Sequence, residues 1–139
     1  MINNLIGTMN IVVGNDGRPH SERAAEFALA YAKAFQANLF MIYIVGPTKL
    51  QDEKEKHIKN GMRVLGRAKI RASDIGVPLA TLLEAGEAHD TLLLAANRLK
   101  ADALVIGSPG ERTGMAKLLG TSTAEAVFKN APCTVVIVR

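Results

Sequence analysis

Two glycine clusters near the end of the chain have the residue types and spacing to hold an anion. The first is Gly107-Ser108-Pro109-Gly110; continued to Glu111, it has the chemistry of a type II turn, in which Pro fixes φ and Gly accepts a positive φ. The second, Gly120-Thr121-Ser122-Thr123, reads as the opening of a helix, where unpaired backbone N–H groups and hydroxyls can face a negative charge. Two such bends, about ten residues apart, can clamp a chain of phosphates between them. By spacing alone the glycines fit an ordinary loop equally well, since neither a Walker A sequence nor a G-x-G-x-x-G fingerprint is present. The residues by themselves define a candidate anion loop.

Other kinds of chemistry find less support. His20, His57 and His89 sit on separate segments without ligand spacing, and Cys133 is alone, so no zinc site is expected. Cys133 reads as a small buried hydrophobe. Ser108 and Thr121 have no histidine beside them, which argues against an efficient hydrolase and for a protein that is not an enzyme, with slow turnover left open. Asp16 is the one carboxylate in the proposed site able to hold a metal, and a plain turn residue at the head of the next helix is its other reading. Lys59, Arg63, Arg67 and Arg71 recur every fourth residue; a solvated helix face accounts for them better than a nucleic-acid surface, because stacking aromatics are scarce.

The elements that must position these residues follow from hydrophobic pattern. Asn10 to Gly14 is a continuous apolar run of the kind buried on both faces of a sheet. After Asn15-Asp16-Gly17 a helix is predicted from Ser21, its N-cap, to Gln36, with Ala24, Ala28, Tyr31, Ala32 and Phe35 on the inner side. A strand over Leu39 to Val45 leads to a long helix over Asp52 to Ser73, whose inner arc is Ile58, Met62, Leu65 and Ala72, and Gly76 and Pro78 end it. Then come a strand at Leu79 to Leu83, a helix from His89 to Lys100, and a strand at Ala103 to Ile106. A short helix over Thr121 to Asn130 and a last strand at Val135 to Val138 complete the chain. Every strand is joined to the next through a helix, so the strands run parallel and helices cover both faces of one doubly wound α/β sheet. In such sheets ligands collect beyond the carboxyl ends of strands where the winding reverses, which directs attention to Asp16-Gly17, to Tyr43-Ile44-Val45 and to Gly107 onward.

Composition agrees with one soluble domain spanning residues 1–139, with 48% hydrophobic and 22% charged residues. With no Trp and few other aromatics the core must be aliphatic. A net charge of +4 suits a polyanionic ligand without choosing between nucleotide and nucleic acid. One cysteine, no signal-peptide pattern and no apolar run near the roughly 18–20 residues of a bilayer span lead to the expectation of a cytoplasmic protein that meets no membrane.

The spacing Gly107-x2-Gly110-x9-Gly120-Thr121 resembles the nucleotide-binding motif G-x2-G-x9-G-[ST] of universal stress proteins. Asp102-Ala-Leu-Val-Ile-Gly-Ser before it, Asn130-Ala-Pro-Cys-Thr-Val-Val-Ile-Val after it, Asp16-Gly17 and Gly86 extend the likeness over nearly the whole chain. The resemblance implies a Rossmann-like, adenine nucleotide alpha hydrolase-like fold: an open five-stranded parallel sheet of order 3-2-1-4-5, with Asp16 and Gly107 flanking one crevice. It further implies binding of ATP, ADP or AMP by a sensor or regulatory module, with Mg2+ carried on the nucleotide. Asp16, beside Gly17, would then contact the ribose or that metal, the backbone of Ile44 the adenine, and Gly107, Ser108, Gly110, Gly120, Thr121 and Ser122 the ribose and phosphates. Pro109 offers no N–H and Glu111 brings a carboxylate, while Arg112 and Lys117 can restore positive charge, so the number of phosphates stays open. A homodimer through Thr134 to Val138 is implied as well, in line with the need to cover an apolar sheet edge. The alternative within the same family is a dimeric interaction module that binds no nucleotide.

Overall fold

A computed structural model describes residues 8–109 and 123–139. Five parallel strands form one sheet: β1 Asn10–Gly14, β2 Asn38–Val45, β3 Leu79–Ala85, β4 Ala103–Gly107 and β5 Thr134–Val138, in the expected order β3-β2-β1-β4-β5. Four helices are seen among the described residues, α1 Pro19–Phe35, α2 Gln51–Ile75, α3 Ala88–Arg98 and α4 Thr123–Asn130. β1 pairs with β2 on one side, Val12 opposite Phe40, and with β4 on the other, Val12 opposite Leu104.

Alternation along the strands divides the apolar residues into two layers. Ile11, Val13, Met41, Tyr43 and Val105 meet α1 and α2, while Val12, Ile42, Leu104 and Ile106 meet α3 and α4. The three central residues of β1 and four of the five in β4 are buried, as the unbroken β-branched runs predict. At the amino end of the sheet Asn10 ties β1 to β4: its N–H donates to the Asp102 carboxylate at 2.7 Å and its side-chain amide to the Leu99 carbonyl at 3.1 Å.

The helices differ from expectation in ways that packing explains. α1 begins at Pro19, whose missing N–H costs nothing in a first turn, so Arg18 is the N-cap and Ser21 lies inside that turn. Its buried stripe is Ala24, Ala25, Ala28, Leu29 and Ala32, small residues that bring the helix axis close to the sheet. Tyr31 is only half-buried and Phe35 is 60% exposed. Tyr31 packs partly against the core while its ring also joins Phe27 and Phe35 in an aromatic ladder, with ring centroids 5.9 and 4.9 Å apart. In α2 the buried residues are Gly61, Val64, Leu65, Ala68 and Ala72, with Ile58 packed partly against the same core; Leu65, Ala72 and Ile58 face inward as expected, but Met62 faces outward, 65% exposed. That placement follows from Gly61, which must be the residue that touches the sheet because no side chain fits there. A Cβ at that position would lie 2.6 Å from both Leu83 Cδ1 and Tyr43 Cδ1. α2 ends at Gly76 in the left-handed region at φ 76°, followed closely by Pro78, as its sequence predicts.

The alanine stripe makes a direct prediction. Ala28→Leu overfills the space beneath α1 and lowers stability by about 1–3 kcal/mol in urea unfolding, whereas Phe35→Ser stays within about 1 kcal/mol of the parent.

Candidate functional site

Where β1 is flanked by β2 and β4, the chain leaves β1 toward one face of the sheet and β4 toward the other, and the carboxyl ends splay around a cavity of about 700 Å3. Its walls differ in chemistry. Ile42, Ile44, Leu92, Ile106 and Ala124, with Ala88 at the head of α3, make an apolar side, and Asn15, Asp16, Arg18, His20, Ser21, Tyr43, His57 and Asn60 a polar one.

The loop after β1 is shaped by its own side chains. Asn15, 3% exposed, has its backbone N–H on the Ile42 carbonyl at 2.9 Å, and its side-chain oxygen accepts the Gly17 N–H at 2.9 Å. One Asp16 oxygen accepts the Arg18 N–H at 2.9 Å, and the other lies 3.6 Å from the Arg18 guanidinium. Asp16 therefore holds the turn and lines the cavity at the same time, so its two readings are not exclusive. Gly17 sits at φ 86°, which favours glycine, and its α-carbon faces Val64 of α2: an added Cβ would approach Val64 Cγ2 to 3.0 Å. It sets the path of the loop and is not among the residues lining the cavity.

Gly107 ends β4, and Ser108 next to it donates its N–H to the Val138 carbonyl at 2.7 Å. A Cβ on Gly107 would stand 2.3 Å from the His20 carbonyl oxygen and 2.9 Å from Ser21 N. Only glycine lets the start of α1 reach the end of β4. Gly107, Ser108 and Pro109 line the cavity, as do Ile44 from β2 and Thr123 from the start of α4. Gly110, Gly120, Thr121, Ser122 and the remainder of the Ser108–Glu111 turn lie outside the described residues. Of the sequence-derived positions that are described, Asp16, Ile44, Gly107 and Ser108 surround one space.

A second wall was missed by sequence reasoning. Asn60 on α2 donates its side-chain amide to the Tyr43 hydroxyl at 2.8 Å, Arg63 donates to the Asn60 side-chain oxygen, and His57 stands one turn before Asn60. The available signal was Gly61: a glycine inside a long helical pattern needs a close approach to justify it, and the approach here is to Tyr43. Among the described residues no group of three or more His, Cys, Asp and Glu is placed to hold a metal ion. Cys133 is half-buried under the α3–α4 layer rather than fully enclosed, and burial, with the Asp102 charge second, pushes its thiol up from its ordinary value.

With this geometry in place, comparison with known proteins is informative. The sequence profile of the universal stress protein family matches residues 7–139. The chain is 34% identical to the universal stress protein MJ0531 of Methanocaldococcus jannaschii over 140 aligned positions, covering 93% of this chain and 81% of that protein. It is also 34% identical to a universal stress protein of Thermus aquaticus, covering 93% and 97% respectively. Among solved structures, a universal stress protein in complex with cAMP superposes with a TM-score of 0.79 at 31% identity, over 94% of this chain and 97% of that one.

The two glycines at the cavity rim should respond differently to a methyl group. Gly107→Ala forces backbone against backbone and lowers stability by about 1–3 kcal/mol in urea unfolding. Gly46→Ala, with no atom within 4 Å of the added carbon, changes it by less than about 0.5 kcal/mol.

Proposed function

The chain belongs to the universal stress protein family, and from that premise we propose that it binds an adenine nucleotide in the cavity at the ends of β1, β2 and β4, as a sensor or regulatory module rather than a catalyst. The observation that carries this reading is the division of the cavity into an apolar and a polar side. A purine needs flat apolar contact and a ribose phosphate needs hydrogen-bond donors, and here each has its own wall. The relative bound to cAMP, similar along nearly its whole length, supports the same ligand class.

In this reading the Ile44 backbone meets the adenine, and Asp16 meets the ribose or a nucleotide-bound Mg2+. Gly107 and Ser108, with Gly110, Gly120, Thr121 and Ser122 of the family motif, serve the ribose and phosphates. ATP, ADP and AMP are all candidates, and slow ATP hydrolysis is the enzymatic alternative. Nucleic acid is a poor partner for the basic stripe of α2, since Arg67 lies 3.4 Å from Glu22 and Arg71 3.3 Å from Glu26 on α1. Among the described residues no helix is long and apolar enough to cross a membrane, which suits the cytoplasmic location we propose.

Calorimetric titration with cAMP, AMP, ADP and ATP, with and without Mg2+, tests the reading. Binding is expected for at least one, and ligand at a hundredfold its Kd should stabilise the fold by about 2.7 kcal/mol. No heat and no thermal shift at millimolar concentration with all four would leave the dimeric interaction module as the better account.

We also propose a homodimer through β5. This strand ends the sheet, Thr134 and Ile137 are exposed, and Ile137 presents 43% of its surface. Sedimentation velocity at micromolar protein should give the dimer mass; a monomer at every concentration would rule the arrangement out.

A further inference from the structure

The polar wall on the α2 side contains a chain of hydrogen bonds whose direction can be worked out. Arg63 donates to the Asn60 side-chain oxygen, and the Asn60 side-chain nitrogen donates to the Tyr43 hydroxyl at 2.8 Å. A guanidinium has no acceptor, so the Asn60 atom that faces it is the oxygen. The atom turned to Tyr43 is then the NH2 group, which can only donate. The Tyr43 oxygen is therefore the acceptor of this pair, and the phenol keeps its own proton for another partner. That oxygen is satisfied, as is every buried polar side-chain atom among the described residues, but Tyr43 makes no second hydrogen bond among them.

The position of this phenol is closely constrained. Tyr43 is 4% exposed, its ring is packed against Gly61 of α2, and Tyr43, His57 and Asn60 all line the cavity. β1 stands between β2 and β4, so Tyr43 is two strand spacings, roughly 10 Å, from the strand that ends in Gly107. A group held at the end of β4 is not the one that reaches the phenol. Enclosed phenols ordinarily use their proton, and here the acceptor has to come from whatever fills the cavity.

We propose that Tyr43 reads the base: its hydroxyl, with its proton left to the cavity by Asn60 and Arg63, donates a hydrogen bond to a ring nitrogen of the bound purine. The inference rests on the nucleotide reading for the identity of its ligand. Tyr43 immediately precedes Ile44, whose backbone meets the adenine in that reading, and a purine carries acceptor nitrogens around its ring. Asn60 and Arg63 are positioning residues, since they act through the phenol: Arg63 fixes which way the Asn60 amide faces, and the amide fixes which way the hydroxyl donates. Successive hydrogen bonds in one direction also polarise each other, which makes the phenol a better donor than it is alone. Gly61 is what allows the arrangement, because it brings α2 close enough for Asn60 to reach the hydroxyl.

The test measures the affinity of AMP, adenosine and the 1-, 3- and 7-deaza analogues of adenosine for the parent protein, Tyr43→Phe and Asn60→Asp. Tyr43→Phe is expected to weaken AMP and adenosine alike, about fivefold, because the base and not the phosphate is read. The parent should bind one of the three deaza compounds more weakly than adenosine by the same factor, and Tyr43→Phe should bind that compound and adenosine equally. Asn60→Asp supplies a carboxylate that accepts from Arg63 and from the phenol, so it should lose the same factor for adenosine while the hydroxyl and its packing remain. Urea unfolding checks that each variant folds; if Tyr43→Phe does not, Asn60→Asp carries the test alone. Adenosine affinity within about twofold of the parent in a folded variant, or a parent that discriminates against none of the deaza compounds, would overturn the inference and leave nucleotide binding standing. A parent that binds neither AMP nor adenosine would end both.

Discussion

Everything else in this fold depends on β1 being hydrogen-bonded on both sides by parallel neighbours, β2 and β4. A strand so placed must be apolar on both faces, and Ile11, Val12 and Val13 are completely enclosed. Its two neighbours are then reached by connections that leave toward opposite faces of the sheet. At the carboxyl ends of β1 and β4 the polypeptide therefore parts instead of packing. The cavity is a geometric result of that winding, and the residues around it tune a space that topology has already opened.

What tunes it is close approach. Gly107 brings a helix end to a strand end, and Gly61 brings α2 down onto Tyr43, so each glycine fixes one wall by leaving out a side chain. The Asn15–Asp16–Gly17 turn then holds its shape because the Gly17 and Arg18 N–H groups donate to the Asn15 and Asp16 side-chain oxygens, at 2.9 Å in each case. Arg67 and Arg71 brace α2 against Glu22 and Glu26 of α1 across the outside. Those pairs are exposed and contribute little to stability.

The strand plan was legible from pattern, because the buried strands β1 and β4 write themselves as continuous apolar runs and helical segments separate each strand from the next. The order of the strands came from the family likeness, since periodicity says nothing about which strands are neighbours. Asp16, Ile44, Gly107 and Ser108 were found because they sit at strand ends. His20, Ser21, His57 and Asn60 were not, because their place at the cavity is set by how far α1 and α2 sink toward the sheet. That depth is decided by alanines and a glycine whose own side chains carry no chemical signal. The same effect misled the reading of Phe35 and Met62: large apolar residues weigh heavily in a helical pattern, yet the inward face of each helix here is the one with the smallest residues.

The hydrogen bond between Asn60 and Tyr43 has an optical consequence. The chain contains no tryptophan and two tyrosines, so its phenol absorption and emission come from Tyr43 and Tyr31 alone. Tyr31 stands in the aromatic ladder of α1, remote in character from the cavity, while the Tyr43 phenol lies in the cavity wall with its oxygen held by an amide. Any shift of α2 that disturbs that hydrogen bond alters one chromophore and leaves the other as an internal reference. The protein carries its own reporter of how α2 sits on the sheet, built from the residue that a glycine in the facing helix makes room for.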